Sequence, residues 1–89
     1  MKLVFADAAW DDYLWWQSAG QTKGLDRVNE LIKATQRQPF QGLGKPEPLK
    51  GDLSGWWSRR ITDEHRFVYR VSGKGDTQAL EIAQLRYHY

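Results

Sequence analysis

Only two histidines occur in this chain of 89 residues, and one of them, His88, stands in the closing run Arg86-Tyr87-His88-Tyr89. An imidazole, with a reference pKa of about 6.5, can give up a proton near neutrality. Chain ends usually fray, so a basic–aromatic–His–aromatic ending reads as a terminus held down for a purpose; an ordinary surface histidine is the competing reading. Glu47 is the second candidate. It stands between prolines in Lys45-Pro46-Glu47-Pro48-Leu49-Lys50. The two rings push Lys45 and Glu47 towards extended backbone, which gives the carboxylate a fixed direction. The flanking lysines favour its ionised form and so weaken it as a base, unless phosphates of a bound substrate neutralise them. A solvated glutamate on a proline-rich connector would look the same.

Arg59, Arg60 and Arg66 supply cations. A base, an acid and cations are together what RNA cleavage needs at the scissile phosphate when no metal takes part. The base takes the 2′-hydroxyl proton, the acid protonates the departing 5′-oxygen, and the cations meet the charge of the phosphorane. Strand alternation puts Trp57, Arg59 and Ile61 on one face and Trp56, Ser58 and Arg60 on the other, so at most one of the adjacent arginines shares a face with the site. In the next strand Arg66, Val68 and Arg70 alternate with His65, Phe67, Tyr69 and Val71. The second set faces the core, Arg66 faces outward, and His65 at the edge reads as structural or substrate-adjacent. Trp15–Trp16 and Trp56–Trp57 could stack on unpaired bases, although one ring of each pair is more simply core.

The elements that must position these groups follow from the apolar pattern. Lys2–Phe5 reads as a strand. Asp7 caps a helix in which Trp10, Tyr13, Leu14 and Gln17 recur, and Gly20 and Gly24 punctuate its end. A second helix carries Leu25, Val28, Leu31, Ile32 and Thr35 on one stripe until Pro39 stops it. Phe40–Pro48 is a loop by its Gly and Pro content. Trp56–Ile61, His65–Val71 and Ala79–Tyr87 read as strands joined by short turns. The class is therefore α+β: an N-terminal strand and a two-helix hairpin packed on an antiparallel sheet.

Size and composition bound the rest. Residues 1–89 make one domain, whose 40% apolar content, with five Trp, four Tyr and three Phe, can fill a core without staples. The absence of Cys removes disulfides, thiol nucleophiles and thiolate metal sites together. Met1–Phe5 is too short for a signal peptide and no run reaches membrane-spanning length, so the expected location is the cytoplasm, with no membrane partner. Net charge is only +2. The basic excess lies from Lys45 onward, and a modest basic face suits a phosphate-bearing partner.

The stretches Trp10-Asp-Asp-Tyr-Leu14, Pro39-Phe40, Gly44-Lys-Pro-Glu-Pro-Leu-Lys50, Ser54 through Tyr69 and Arg86-Tyr-His-Tyr89 occur in this order across the chain. In this they resemble the YoeB toxins, a branch of the RelE superfamily, from Lys2 to Tyr89. The resemblance implies a microbial-RNase-like fold and a ribosome-dependent endoribonuclease that cuts messenger RNA in the A site. By motif, Glu47 corresponds to the general base, His88 to the general acid and Arg66 to the transition-state cation. Lys50 and Arg60 correspond to phosphate binders and Tyr89 to a support at the site. No cofactor or metal is implied. The partners implied are messenger RNA on the bacterial ribosome and a YefM-like antitoxin, and the branch admits a homodimer. The chain departs from the family pattern in a longer, Gly-rich Ser72–Gln78 connection and a Gly-rich Gly20–Gly24 connection. A gyrase-poisoning relative of the ParE type would lack the Glu47, Arg66 and His88 set, and a passive binding module would have lost the acid or the base.

Overall fold

A computed structural model describes residues 1–18 and 20–87. The elements run β1 (Lys2–Phe5), α1 (Asp7–Trp16), α2 (Thr22–Arg37), β2 (Glu47–Pro48), β3 (Trp57–Arg60), β4 (Arg66–Ser72) and β5 (Ala79–Gln84), with 3-10 turns at Gly51–Leu53 and Gly75–Thr77. One five-stranded sheet results, in the order β1-β5-β4-β3-β2. It is antiparallel except for the parallel pairing of β1 with β5. The α+β class expected from the residue pattern is the one observed.

Helix α1 begins one residue earlier than a capping Asp7 would place it. Ala6 occupies the N-cap in extended backbone, and Asp7 is the first helical residue, where its charge faces the positive end of the helix dipole. Along α2 the stripe Val28, Leu31, Ile32 and Thr35 is buried, as its three- and four-residue spacing requires. This helix starts at Thr22, so Gly24 does not end a helix; it lies in the first turn of α2. Its physical reason is close approach rather than backbone freedom. A Cβ at Gly24 would stand 2.0 Å from Cζ3 of Trp16, so the missing side chain is the space that the Trp16 indole fills.

Trp16 joins Val28 and Leu31 from the helices and Phe67, Tyr69, Leu80 and Ile82 from the sheet in a single core cluster. The register pairs Arg59 with Phe67 and Trp57 with Tyr69, so the face bearing these residues is the one the helices cover. The loop expected over Phe40–Pro48 ends in a strand instead. Glu47 and Pro48 pair with Ser58 and Trp57 as an edge strand, the place in a sheet where proline is tolerated. Strand β5 stops at Gln84, three residues short of the expected Tyr87. Its register against β4 shifts between Val68 and Tyr69, which pair with Gln84 and Ile82; Ala83 is the extra residue, and such a bulge bends the strand out of the ladder. The Gly-rich connection after β4 is a closed turn, in which Thr77 Oγ1 donates to Lys74 O at 2.8 Å and accepts from Lys74 N at 3.2 Å. Among the described residues no helix is long and apolar enough to cross a membrane.

Candidate active site

Strand alternation and register bring several of the candidate residues to the sheet face opposite the helices. Glu47 lies across from Ser58, Ser58 from Val68, and Val68 from Gln84, so their side chains form one row. Arg60 and Arg66 are paired in the next row of the same face. Strands sit about 4.8 Å apart and rise about 3.4 Å per residue, so the Cα atoms of Glu47 and Arg66 are separated by about 12 Å.

The platform under Glu47 is built by a sharp reversal. Gly44 and Lys45 both have positive φ, +84° and +53°. Lys45 is thus left-handed rather than extended as its proline neighbour predicts, a conformation that costs a non-glycine residue about 1 kcal/mol or more. Tertiary contacts impose it. Gly44 is wedged so closely that a Cβ would meet Leu31 Cδ2 at 2.7 Å and Arg59 Cβ at 3.1 Å, and its carbonyl accepts Arg60 N–H at 2.8 Å. Beyond Glu47, buried Leu49 donates its N–H to Trp56 O at 2.9 Å, which anchors the segment bearing exposed Lys50.

Arg66 faces away from the helices as expected, but it is not a solvent-facing arginine. It is 9% exposed, and Nη1 donates to the carbonyls of Thr62, Asp63 and His65 at 2.7, 3.1 and 3.2 Å. The turn between β3 and β4 therefore holds the guanidinium in place. Arg60 is exposed. Arg70, next along the face, is engaged elsewhere, paired with Glu81 at 3.0 Å and lying 4.5 Å from the Trp56 ring centroid. The Ser72 hydroxyl and Arg70 together hold the Glu81 carboxyl below its usual range.

Arg59 points the other way, into the core, where it is fully buried. Nε donates to Tyr69 Oη at 3.1 Å, Nη1 to Leu43 O at 2.9 Å, and Nη2 to Gln41 O at 3.1 Å and to Gln38 O. Tyr69 in turn donates its hydroxyl to Pro39 O. Burial raises the Tyr69 pKa above its ordinary value of 10.0, with the Arg59 hydrogen bond and charge opposing. The buried guanidinium thus ties residues 38–43, the approach to Glu47, onto β3 and β4. Its sharing an alternation face with Trp57 and Ile61 was the sequence signal for this inward position.

After β5 the chain is held by side-chain bonds and one backbone bond instead of a continuous ladder. Leu85 N–H donates to Asp12 Oδ2 at 2.9 Å, and Trp16 Nε1 donates to Leu85 O at 2.8 Å. Gln84 Nε2 donates to Arg86 O at 2.9 Å. Tyr87 N–H donates to His65 Nδ1 at 2.8 Å, while Arg66 N–H donates to Tyr87 O at 3.1 Å. His88 and Tyr89 lie outside the described residues. His65 is therefore at the edge of the core, as expected, with its ring against Trp15, Trp16 and Tyr87. Nothing in the residue spacing announced the His65–Tyr87 or Asp12–Leu85 bonds, which join positions 22 and 73 residues apart.

Of the paired tryptophans, Trp16 is core and Trp15 half-buried, whereas Trp56 and Trp57 are both half-buried. Arg86 covers Trp15 at 3.9 Å, and Phe40 meets Trp57 at 4.8 Å. Among the described residues no three His, Cys, Asp or Glu side chains cluster as metal ligands.

Residues 5–89 match the family described as YoeB-like toxin of bacterial type II toxin-antitoxin system. Toxin YoeB of Escherichia coli strain K12 is 55% identical over 89 residues, covering all of both chains. The solved structure of a YoeB/ParE toxin from Agrobacterium tumefaciens is 58% identical and superposes with a TM-score of 0.95 over the whole of both chains. YoeB from Staphylococcus aureus has been solved as a dimer, 39% identical with a TM-score of 0.86, and in complex with YefM, 40% identical with a TM-score of 0.85; each match covers 100% of this chain and 98% of that one. With its full length matched in sequence and its fold superposed, the chain belongs to the YoeB-like toxin family of bacterial type II toxin–antitoxin systems.

Proposed function

We propose that this toxin is an endoribonuclease that cuts messenger RNA in the ribosomal A site and so stops translation. One observation carries the reading: Glu47, Arg60 and Arg66 share a sheet face, and Tyr87, which immediately precedes His88, is hydrogen-bonded to the start of β4. Arg60 and Lys50 hold the RNA backbone, and the ribosome bends the message so that a 2′-oxygen lines up with the adjacent phosphorus. Glu47 takes the 2′-hydroxyl proton as that oxygen attacks. Arg66 meets the charge of the phosphorane from a position already set by three backbone carbonyls, so little reorganisation is spent at the moment of reaction. His88 protonates the departing 5′-oxygen, and Tyr89 supports it. The products are a 2′,3′-cyclic phosphate and a free 5′-hydroxyl. The scheme requires no metal or cofactor, and its setting is the cytoplasm.

The Staphylococcus aureus complex pairs a relative of this toxin with YefM. On that basis we assign this chain a YefM-like antitoxin, and on the dimer of the same relative a homodimer.

The test is cleavage of messenger RNA on programmed ribosomes, with magnesium retained for the ribosome and EDTA-treated toxin on naked RNA alongside. Cutting within the A-site codon is expected, weak on free RNA, with Glu47→Ala and His88→Gln each slower by about 10²–10⁴-fold. Intact messenger in the presence of folded, ribosome-bound toxin would overturn the reading.

A further inference from the structure

Residues 85–87 pass beyond the sheet, yet each is tied by a partner distant in sequence or by Gln84. The last of these ties is the most exacting. Tyr87 has a positive φ of 61°, a left-handed conformation that an aromatic residue adopts only when its surroundings impose it. Two bonds do so from β4 and the residue before it: His65 Nδ1 accepts the Tyr87 amide at 2.8 Å, and Arg66 N–H donates to the Tyr87 carbonyl at 3.1 Å. The first is a side-chain bond and depends on the residue at position 65.

His65 is itself held. Thr62 Oγ1 accepts its amide at 3.1 Å, and its carbonyl accepts Ile61 N–H at 3.0 Å. Its ring lies 5.2 Å from the Trp16 ring, 5.6 Å from Trp15 and 5.4 Å from Tyr87. Trp16 in turn is buried, and its indole donates to Leu85 O. The imidazole is thus clamped between α1 and the terminal segment and aims an acceptor at one amide. A phenyl ring could fill the same space without accepting a hydrogen bond. An asparagine carries Oδ1 the same number of bonds from Cα as Nδ1 of histidine, without the ring.

We propose that His65 is a positioning residue for the terminal dipeptide: by accepting the Tyr87 amide it sets the direction in which the backbone leaves towards His88, and so the aim of the general acid. The proposal rests on the role given to His88 under Proposed function. It separates His65 from the groups that touch substrate, because its effect passes through Tyr87.

Three readouts test it on the full-length toxin: single-turnover cleavage on programmed ribosomes, the toxin concentration giving half-maximal rate, and hydrogen exchange at the Tyr87 amide. A displacement of about 1 Å at a reacting group can cost about 10²-fold in rate. His65→Phe is therefore expected to cut about 10- to 100-fold more slowly at saturation, with the half-maximal concentration unchanged within about twofold. His65→Asn is expected to recover most of the rate, and the Tyr87 amide to be protected in the wild type and the Asn variant but not in Phe. A Phe variant as fast as wild type, or an Asn variant no faster than Phe, overturns the proposal. Unprotected Tyr87 in the wild type does the same and needs no substitution. Wild-type toxin that leaves messenger intact sinks the nuclease reading instead, and the exchange data still decide whether His65 holds Tyr87.

Discussion

Replacing Arg59 by methionine should destabilise this protein more than any change to an exposed arginine, although Arg59 touches no carboxylate among its described hydrogen-bond partners. The guanidinium is fully buried and donates to Tyr69 Oη and to the carbonyls of Gln38, Gln41 and Leu43. Bonds from a charged donor contribute about 1.5–3 kcal/mol each, a gross gain of about 6–12 kcal/mol for four. Burying the cation costs several kcal/mol in return, a cost that methionine does not carry. Part of the remaining loss is also relieved. Tyr69 keeps its bond to Pro39 O, and Gln38, Gln41 and Leu43 are exposed residues whose carbonyls can turn to water. The net destabilisation is then about 2–4 kcal/mol, or about 10–25 °C in Tm for a domain of this size. Arg59→Lys should fall between the two, because an ammonium on a single stem cannot fork to the same four oxygens. Urea and thermal unfolding followed by tryptophan fluorescence measure both variants. An Arg59→Met protein within about 4 °C of wild type, roughly 1 kcal/mol, would refute the view that this side chain holds the 38–43 segment in place.

Gly24→Ala should lower stability by about 1–3 kcal/mol, although alanine is the better helix former, because the added methyl collides with the buried Trp16 indole; a rise in Tm would show that the helices can part without loss. The raised Tyr69 pKa means that the folded state favours the neutral phenol. Its contribution is complete below the unfolded value of about 10 and fades as pH rises through the folded value, so stability should fall above about pH 10 with one late-ionising phenol at 295 nm, and Tyr69→Phe should reduce that slope. Arg66→Lys should cut messenger more slowly by about 10²-fold or more while still binding ribosomes, since an ammonium cannot take the three turn carbonyls and a phosphate together. Glu81→Gln, in contrast, should shift stability by less than about 1 kcal/mol, because solvent reaches both partners of the Arg70–Glu81 pair, exposed Arg70 and half-buried Glu81.

Much of this protein was legible in the order of its residues. The spacing of Val28, Leu31, Ile32 and Thr35 determined an amphipathic helix and the face it buries, since a period of 3.6 admits one such stripe. Alternation in β3 and β4 determined that Arg59 and Arg60 point opposite ways and that Phe67 and Tyr69 are core. The family motifs placed Glu47 and Arg66 as candidates, and both fall on one sheet face. What only the tertiary structure decided lies in contacts between segments far apart in the chain. Gly24 reads locally as a helix end, yet it is space left for Trp16. Lys45 reads as extended before proline, yet the packing of Gly44 against Leu31 and Arg59 turns it left-handed. Arg66 reads as an exposed arginine, yet the turn carbonyls hold it, and His65 reaches 22 positions along the chain to Tyr87. Local pattern reports period and propensity, which are properties of neighbours in sequence. The backbone bonds that aim a side chain at a reaction form only once the sheet and helices bring remote segments together.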